Sequence, residues 1–304
     1  MSEGLDPEYQ GKLSDQELKD KLTEEYNQQS SQTAVKESKF PTEIVELPSK
    51  GLLYTKDNPL SSGKVELKYM TAKEEDILTT QSYIKQGVVI DKLLQALVVS
   101  NGEGKTIKFN DLMVGDKNAI MVAARLLGYG KDYECEMIDP FSSEQKSQKI
   151  SIDLSTIDNK DLHETVRKNK HKNEFAFTLP KSKRKIVFKL LNHGNERKVD
   201  HLKKEAERKI RRARIKKGNH SDPTLSLRTR QMIVSVDGNE EPAHLDNFVE
   251  NEMLAQDARE LRKYMLDMQP DVDLKFIFVS DETGDEKEME IPIDVHFFWP
   301  DASL

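Results

Sequence analysis

The sequence predicts an α+β fold, and three observations point there. Short runs of alternating apolar residues are bounded by polar turns and recur as strand pairs. Apolar residues three and four apart mark several helices. The first 39 residues are nearly empty of large apolar side chains, so they cannot offset their own ordering entropy. The expected architecture is a flexible N-terminal arm, then a helical bundle with short strands, then hairpins and helices in a C-terminal α+β domain. A chain of 304 residues has room for this, and the expected boundaries are 1–39, 40–160 and 161–304.

Within the arm, residues 15–26 carry Leu18, Leu22 and Tyr26 at fourfold spacing, enough for a transient helix. Order is expected from Phe40-Pro41. There Ile44, Val45 and Leu47 read as a strand, Pro48 to Gly51 as a turn, and Leu52 to Tyr54 as a second extended segment. Ser61-Ser62-Gly63 signals a turn before an alternating strand at 64–69. Thr71 and Glu74 have capping-box spacing and open a helix that Gly87 should close. Ile90, Leu93, Leu94, Leu97 and Val98 give the next helix its apolar face. Asp116 is placed to cap a third helix, ended by Gly128 and Gly130.

From Tyr133 the pattern turns to strands. YECEMI and KISIDLS flank a polar turn, and FAFTL (175–179) and KIVFKLL (185–191) flank the tip 181–184. A strongly basic helix is expected at 196–218, then helices at 223–235, 243–254 and 257–268, the last with Asp257 as N-cap. LKFIFVS and KEMEIPID form a final hairpin, and the apolar HFFWP is expected to pack as the last strand. The two strand–turn–strand units at 133–155 and 275–294 echo each other, as a duplicated module or as two independent hairpins.

Composition narrows the function classes. The net charge of −7 argues against a general nucleic-acid binder. There is no signal-peptide pattern, and no apolar run approaches the roughly 20 residues that span a bilayer, so a soluble protein made in a cytoplasm is expected, with no membrane partner. Cys135 is the one cysteine, which excludes an internal disulfide and a zinc site of paired cysteines. The segment Asn101–Thr106 ends like a phosphate-binding loop, but Val99 stands where that loop needs glycine, so a polar turn is expected. The seven histidines fall in no metal-binding spacing, and no catalytic residue, cofactor or metal ligand is assigned.

The chemical anomaly is the basic stretch. Lys203, Lys204, Arg208, Lys209, Arg211, Arg212, Arg214, Lys216 and Lys217 would cover most of a helix, with Glu205 and Lys209 as a favourable pair. An acidic protein surface, water or nucleic acid would each satisfy these charges, but no aromatic residue interleaves to stack on bases. The partner-binding residues expected from sequence are Arg208, Arg211, Arg212, Arg214, Lys216 and Lys217, with Trp299 as core or as an aromatic anchor.

Several runs together resemble one family. PTEIVELPSKGLLY, LKYMTAKEEDILT and YIKQGVVIDKLLQALV, then FAFTLPKSKRKIVFKLL, RTRQMIVSVDGN, DARELRKYMLDMQPDVD and FFWP, are similar to the baseplate hub proteins of T-even-type contractile-tailed phages. The block at 70–130 is also similar in style to small tail-assembly chaperones. The resemblance implies a non-enzymatic role in building the hub through contacts with other tail and baseplate proteins, as an oligomer within the baseplate. It implies the host cytoplasm during assembly and the virion tail thereafter. A chaperone absent from the virion and a nucleic-acid binder using the 197–217 helix are the alternatives. Many members of the family carry a C-x-x-C-G zinc turn in the final hairpin. This chain departs from it with Ser280-Asp281-Glu282-Thr283-Gly284, which keeps the glycine but no thiol, so the hairpin is expected without a structural zinc.

Overall fold

The computed structural model describes residues 41–212, 223–293 and 295–298. The expected arm, the 213–218 part of the expected basic helix and Trp299 lie outside the described residues. The fold is mixed α+β. Alternation at the start yields the two expected strands, β1 (Thr42–Glu46) and β2 (Lys64–Lys68), paired antiparallel. The β2 strand also pairs with β3 (Val98–Ser100), which corrects the expectation that Val98 continues a helix, because the β-branched Val98-Val99 finds the free edge of β2. Val65 and Leu67 of β2 point into the core, and Val45 lies opposite Val65. The second extended segment expected at Leu52–Tyr54 is instead a series of tight turns. Gly51 makes them possible: its φ is +75°, and a Cβ there would stand 2.3 Å from the Ser61 carbonyl oxygen.

The capping box forms as expected, with Glu74 Oε2 accepting from the Thr71 amide at 3.1 Å, and opens α1 (Ala72–Thr79). The helix does not run on to Gly87. The Thr79 and Thr80 hydroxyls both donate to the Asp76 carbonyl, and the chain breaks and restarts as α2 (Gln81–Gln86), which Gly87 closes at φ +70°. Next come α3 (Val89–Leu97) and the central helix α4 (Val114–Tyr129). Met113, not Asp116, is the N-cap of α4, and the Asp116 side chain turns away from its own helix end into a buried network. The 101–106 segment is the expected polar turn: Asn101 Oδ1 accepts from the Glu103 and Lys105 amides, 3.0 Å each. Inside α4, buried Arg125 donates to the carbonyl of Gly130, the residue that caps the helix, and to that of Asp132, where the next strand begins.

Both expected hairpins form, as β4 (Asp132–Ile138) with β5 (Ser147–Asp153), and β9 (Lys275–Val279) with β10 (Glu286–Glu290). They are joined. The Gln148 side-chain amide donates to the Val279 carbonyl at 2.9 Å and accepts from the Asp281 amide at 2.9 Å. It thus acts toward the second hairpin as a peptide group would. The Ser280 hydroxyl donates to Asp139 Oδ2 at 2.5 Å, a buried clasp between the two turns. Ser280 Oγ also accepts from the amides of Glu282 and Thr283, 3.2 Å each. This donor set does not fit the zinc that the family's C-x-x-C-G turn would hold. Hydroxyls stand where thiolates would be needed, and that of Ser280 is committed to Asp139.

A short helix α5 (Glu164–Lys168) leads to the second three-stranded sheet. Here β6 (Phe175–Thr178) pairs with β7 (Lys185–Phe188), and β7 pairs with β8 (Ile233–Val236). The β8 strand corrects the helix expected at 223–235, which ends at Met232 as α7 (Thr224–Met232). The β-branched run Ile233-Val234 and Val236 finds the open edge of β7, where burial of Ile233 and Val236 outweighs one more helical turn. The basic helix α6 (His193–Arg212) begins three residues before its expected start. The helix expected at 243–254 is α8 (Pro242–Asn247) followed by a wider π turn, Phe248–Glu252.

The helix α9 (Ala255–Met268) has Leu254, not Asp257, at its N-cap. Asp257 is fully buried and accepts from the Lys181 and Ser182 amides at 2.7 and 2.9 Å. Burial opposes its charge, but these amide donors outweigh it and hold the carboxyl below its ordinary range. The expected last strand is a helical turn, α10 (Val295–Phe298). Its Phe297 and Phe298 are fully buried, and Phe297 meets Tyr133 edge-on at 5.1 Å. Burial of each ring stabilises the fold by about 2–3 kcal/mol. The described residues from Thr42 onward cluster as one compact unit with a continuous buried core.

Candidate functional site

The α6 helix is fixed at its start by a reciprocal cap. The Asn195 amide donates to Asn192 Oδ1 at 2.9 Å, and the Asn192 amide to Asn195 Oδ1 at 3.4 Å. Val199 is buried, and Leu202 and Ala206 continue its face half-buried, so α6 packs on α7 and on the turn Phe109–Asp111. The opposite side is charged. Lys204, Arg208 and Lys209 are exposed, with eight bases against four acids over 196–212.

Two clefts flank the helix. The first, about 590 Å³, lies between α3, α4, α6 and α7, with Val89, Ile90 and Met121 among its apolar lining residues. Its walls carry ion pairs: Lys117 with Asp91, and Arg228 with Glu196. The second, about 670 Å³, is lined by Leu202, Leu227, Leu245 and Val249, with the Arg230–Asp246 pair on its rim.

His193 is the unusual group in the first cleft. It is 4% exposed and meets the Phe109 ring edge-on at 5.0 Å. Its Nε2 lies 3.4 Å from Asp91 Oδ2 yet makes no hydrogen bond among the described residues. Burial pushes the imidazole below its ordinary pKa. Asp91 pulls it back up, and Lys117 and Arg197 push it down again. The ring is therefore neutral at neutral pH. Because its folded titration is lowered, protonation costs stability as pH falls below the ordinary histidine range. Asp91→Asn is expected to cost about 2 kcal/mol by unpairing Lys117. The His193 titration followed by NMR should move lower still in that variant; an upward move would show that Asp91 does not support the charged ring.

The residues expected from sequence fare differently. Arg208 is exposed on α6, while Arg211 and Arg212 are helical by backbone. Arg214, Lys216, Lys217 and Trp299 lie outside the described residues. The Asp91, Lys117 and His193 cluster has no expression in sequence spacing, since its members come from three helices. Among the described residues no group of three or more His, Cys, Asp or Glu is placed to hold a metal, and no helix is long and apolar enough to cross a membrane. Cys135 is half-buried in β4 opposite Ile150. His163 caps α5 by accepting from the Thr165 amide, and the His171 ring lies 3.2 Å from the Tyr54 carbonyl oxygen. Compared with known proteins, the chain matches no protein-family model, no curated protein and no solved structure.

Proposed function

We propose that this chain is a non-enzymatic protein of a contractile phage tail, building the baseplate hub through protein–protein contacts. One observation carries the reading beyond the run of motifs. The residues that give the resemblance hold one another in place around a single turn, 179–185. Asp257 of DARELRK accepts the amides of Lys181 and Ser182 in LPKSKRK. Asp237 of SVDGN accepts the Lys185 amide at 2.8 Å and pairs with Arg184. Shared motifs that serve the frame, rather than converging on a reactive group, suit a family defined by a scaffold. Function then falls to surfaces. The clefts beside α6, with apolar lining and paired charges, suit a segment of a protein partner more than a small charged substrate.

The basic helix is the docking element in this reading. Reversing Arg208, Arg211, Arg212 and Arg214 to Glu together should leave the far-UV dichroism of the protein unchanged; loss of the exposed Arg208 charge costs at most about 1 kcal/mol. It should abolish incorporation of the chain into hub assemblies in the encoding phage. Detection of the wild-type chain in purified tails separates a subunit from a chaperone that leaves. Tight nucleic-acid binding at physiological salt, lost in the same variant, would overturn the protein-partner reading.

A further inference from the structure

The partner of the basic helix can be named from the chain itself. On the hairpin β9–β10, one face is buried through Phe278 and the other is open. The open face shows Ile277 at 58% exposure and Val279 at 47%, both β-branched and uncovered. Directly across the strand pair stand Glu288 opposite Ile277, Glu286 opposite Val279 and Glu290 opposite Lys275. All three glutamates are exposed, and Lys275 offsets one charge through its 2.6 Å pair with Glu288. An apolar strip beside a row of carboxylates is the surface a basic helix would cover, because Lys and Arg lay their stems on apolar surface and their heads on acids.

The spacings agree. Alternate residues of a strand are about 6.8 Å apart, which sets the rhythm of Glu286, Glu288 and Glu290. Residues four apart on a helix are about 6 Å apart, which sets that of Lys204, Arg208 and the Arg212 position. Over two such steps the mismatch, about 1.6 Å, is within the reach of long side chains. Helix and hairpin face are both exposed in one molecule, so neither covers the other.

We propose that α6 of one copy docks on the open β9–β10 face of a second copy. The two surfaces differ, so the contact is head-to-tail and repeats, giving a ring if the rotation closes and an open array if it does not. This rests on the helix being a docking element, and not on the tail reading.

The test is the molar mass of the purified full chain, by sedimentation, from micromolar to near-millimolar concentration at low and high salt. Mass should rise with concentration at low salt and fall back to the monomer at high salt. Glu286→Lys/Glu288→Lys/Glu290→Lys should abolish assembly, and so should Lys204→Glu/Arg208→Glu. Both sets combined in one chain should restore it, because the charges are then exchanged. Glutamine at the three acidic positions gives a second, milder variant, expected to weaken assembly at least tenfold, and far-UV dichroism checks the fold of each. A wild type that stays monomeric, single-face variants that still assemble, or a combined variant that does not recover would each overturn the proposal. A chain that self-assembles but is absent from tail assemblies sinks only the tail reading. One that enters tails but stays monomeric alone sinks only this contact.

Discussion

Asp116→Ala is expected to lower stability by about 3 kcal/mol at neutral pH, because three buried donors lose their acceptor. The Ser49 amide and hydroxyl reach the Asp116 carboxylate at 2.9 and 2.7 Å, and the Tyr54 hydroxyl reaches it at 2.5 Å. Tyr54 in turn accepts from the Met113 amide at 2.9 Å, so the turns after β1 are tied to the start of α4 through one carboxylate. Burial pushes the Asp116 pKa up to about 6, against which the Tyr54 and Ser49 hydrogen bonds work. Burial and the neighbouring Asp116 likewise raise the Tyr54 hydroxyl, which stays protonated as the donor.

The raised pKa fixes the pH dependence. A carboxyl that titrates higher in the folded state gives stability that is fully present below its ordinary pKa of 3.8 and is lost as pH rises through about 6. The gap of about two pH units corresponds to about 3 kcal/mol. Urea unfolding of wild type and Asp116→Ala should therefore diverge further at pH 5 than at pH 7. Equal differences at the two pH values would mean that the carboxyl is not desolvated as the fold requires.

The same residue shows what was legible in the sequence. Asp116 and Asp257 each precede an apolar helical run and were both expected as N-caps. In the fold each sits in the first turn, where the helix dipole favours an acid, but its carboxylate serves a distant turn. Local spacing reveals that an acid belongs near a helix start; the segment it binds, 67 residues away for Ser49, is a tertiary fact. Period-2 runs identify strands where the partner strand lies next in sequence, as in β4–β5, β6–β7 and β9–β10. The β8 strand was missed because its partner β7 is separated from it by α6 and α7, and a four-residue apolar run carries no period of its own. The site divided in the same way. Composition alone located the basic helix, whereas the Asp91, Lys117 and His193 cluster depends on three helices meeting.

Gly115→Ala sets two magnitudes of opposite sign against each other. Gly115 lies in the first turn of α4, and alanine there would favour the helix by about 1 kcal/mol. A Cβ at that position would stand 1.8 Å from the Pro270 carbonyl oxygen and 2.8 Å from Asp271 Cα. Both are backbone atoms, so no flexible side chain can swing aside. The loop they belong to is also pinned: Asn118 donates to Asp271 Oδ1 at 3.0 Å, and the Lys160 amide to the Asp271 carbonyl at 2.8 Å. Separating α4 from this loop would break those bonds and open the core beside Val272. The expected net loss is about 3 kcal/mol or more, at the upper end for overpacking. Asn118→Ala, which removes one hydrogen bond and leaves the approach intact, should cost about 1 kcal/mol. Thermal or urea unfolding of both variants decides the matter. If Gly115→Ala is as stable as the wild type or more so, helix propensity has won, and α4 and the 270–273 loop do not pack backbone to backbone.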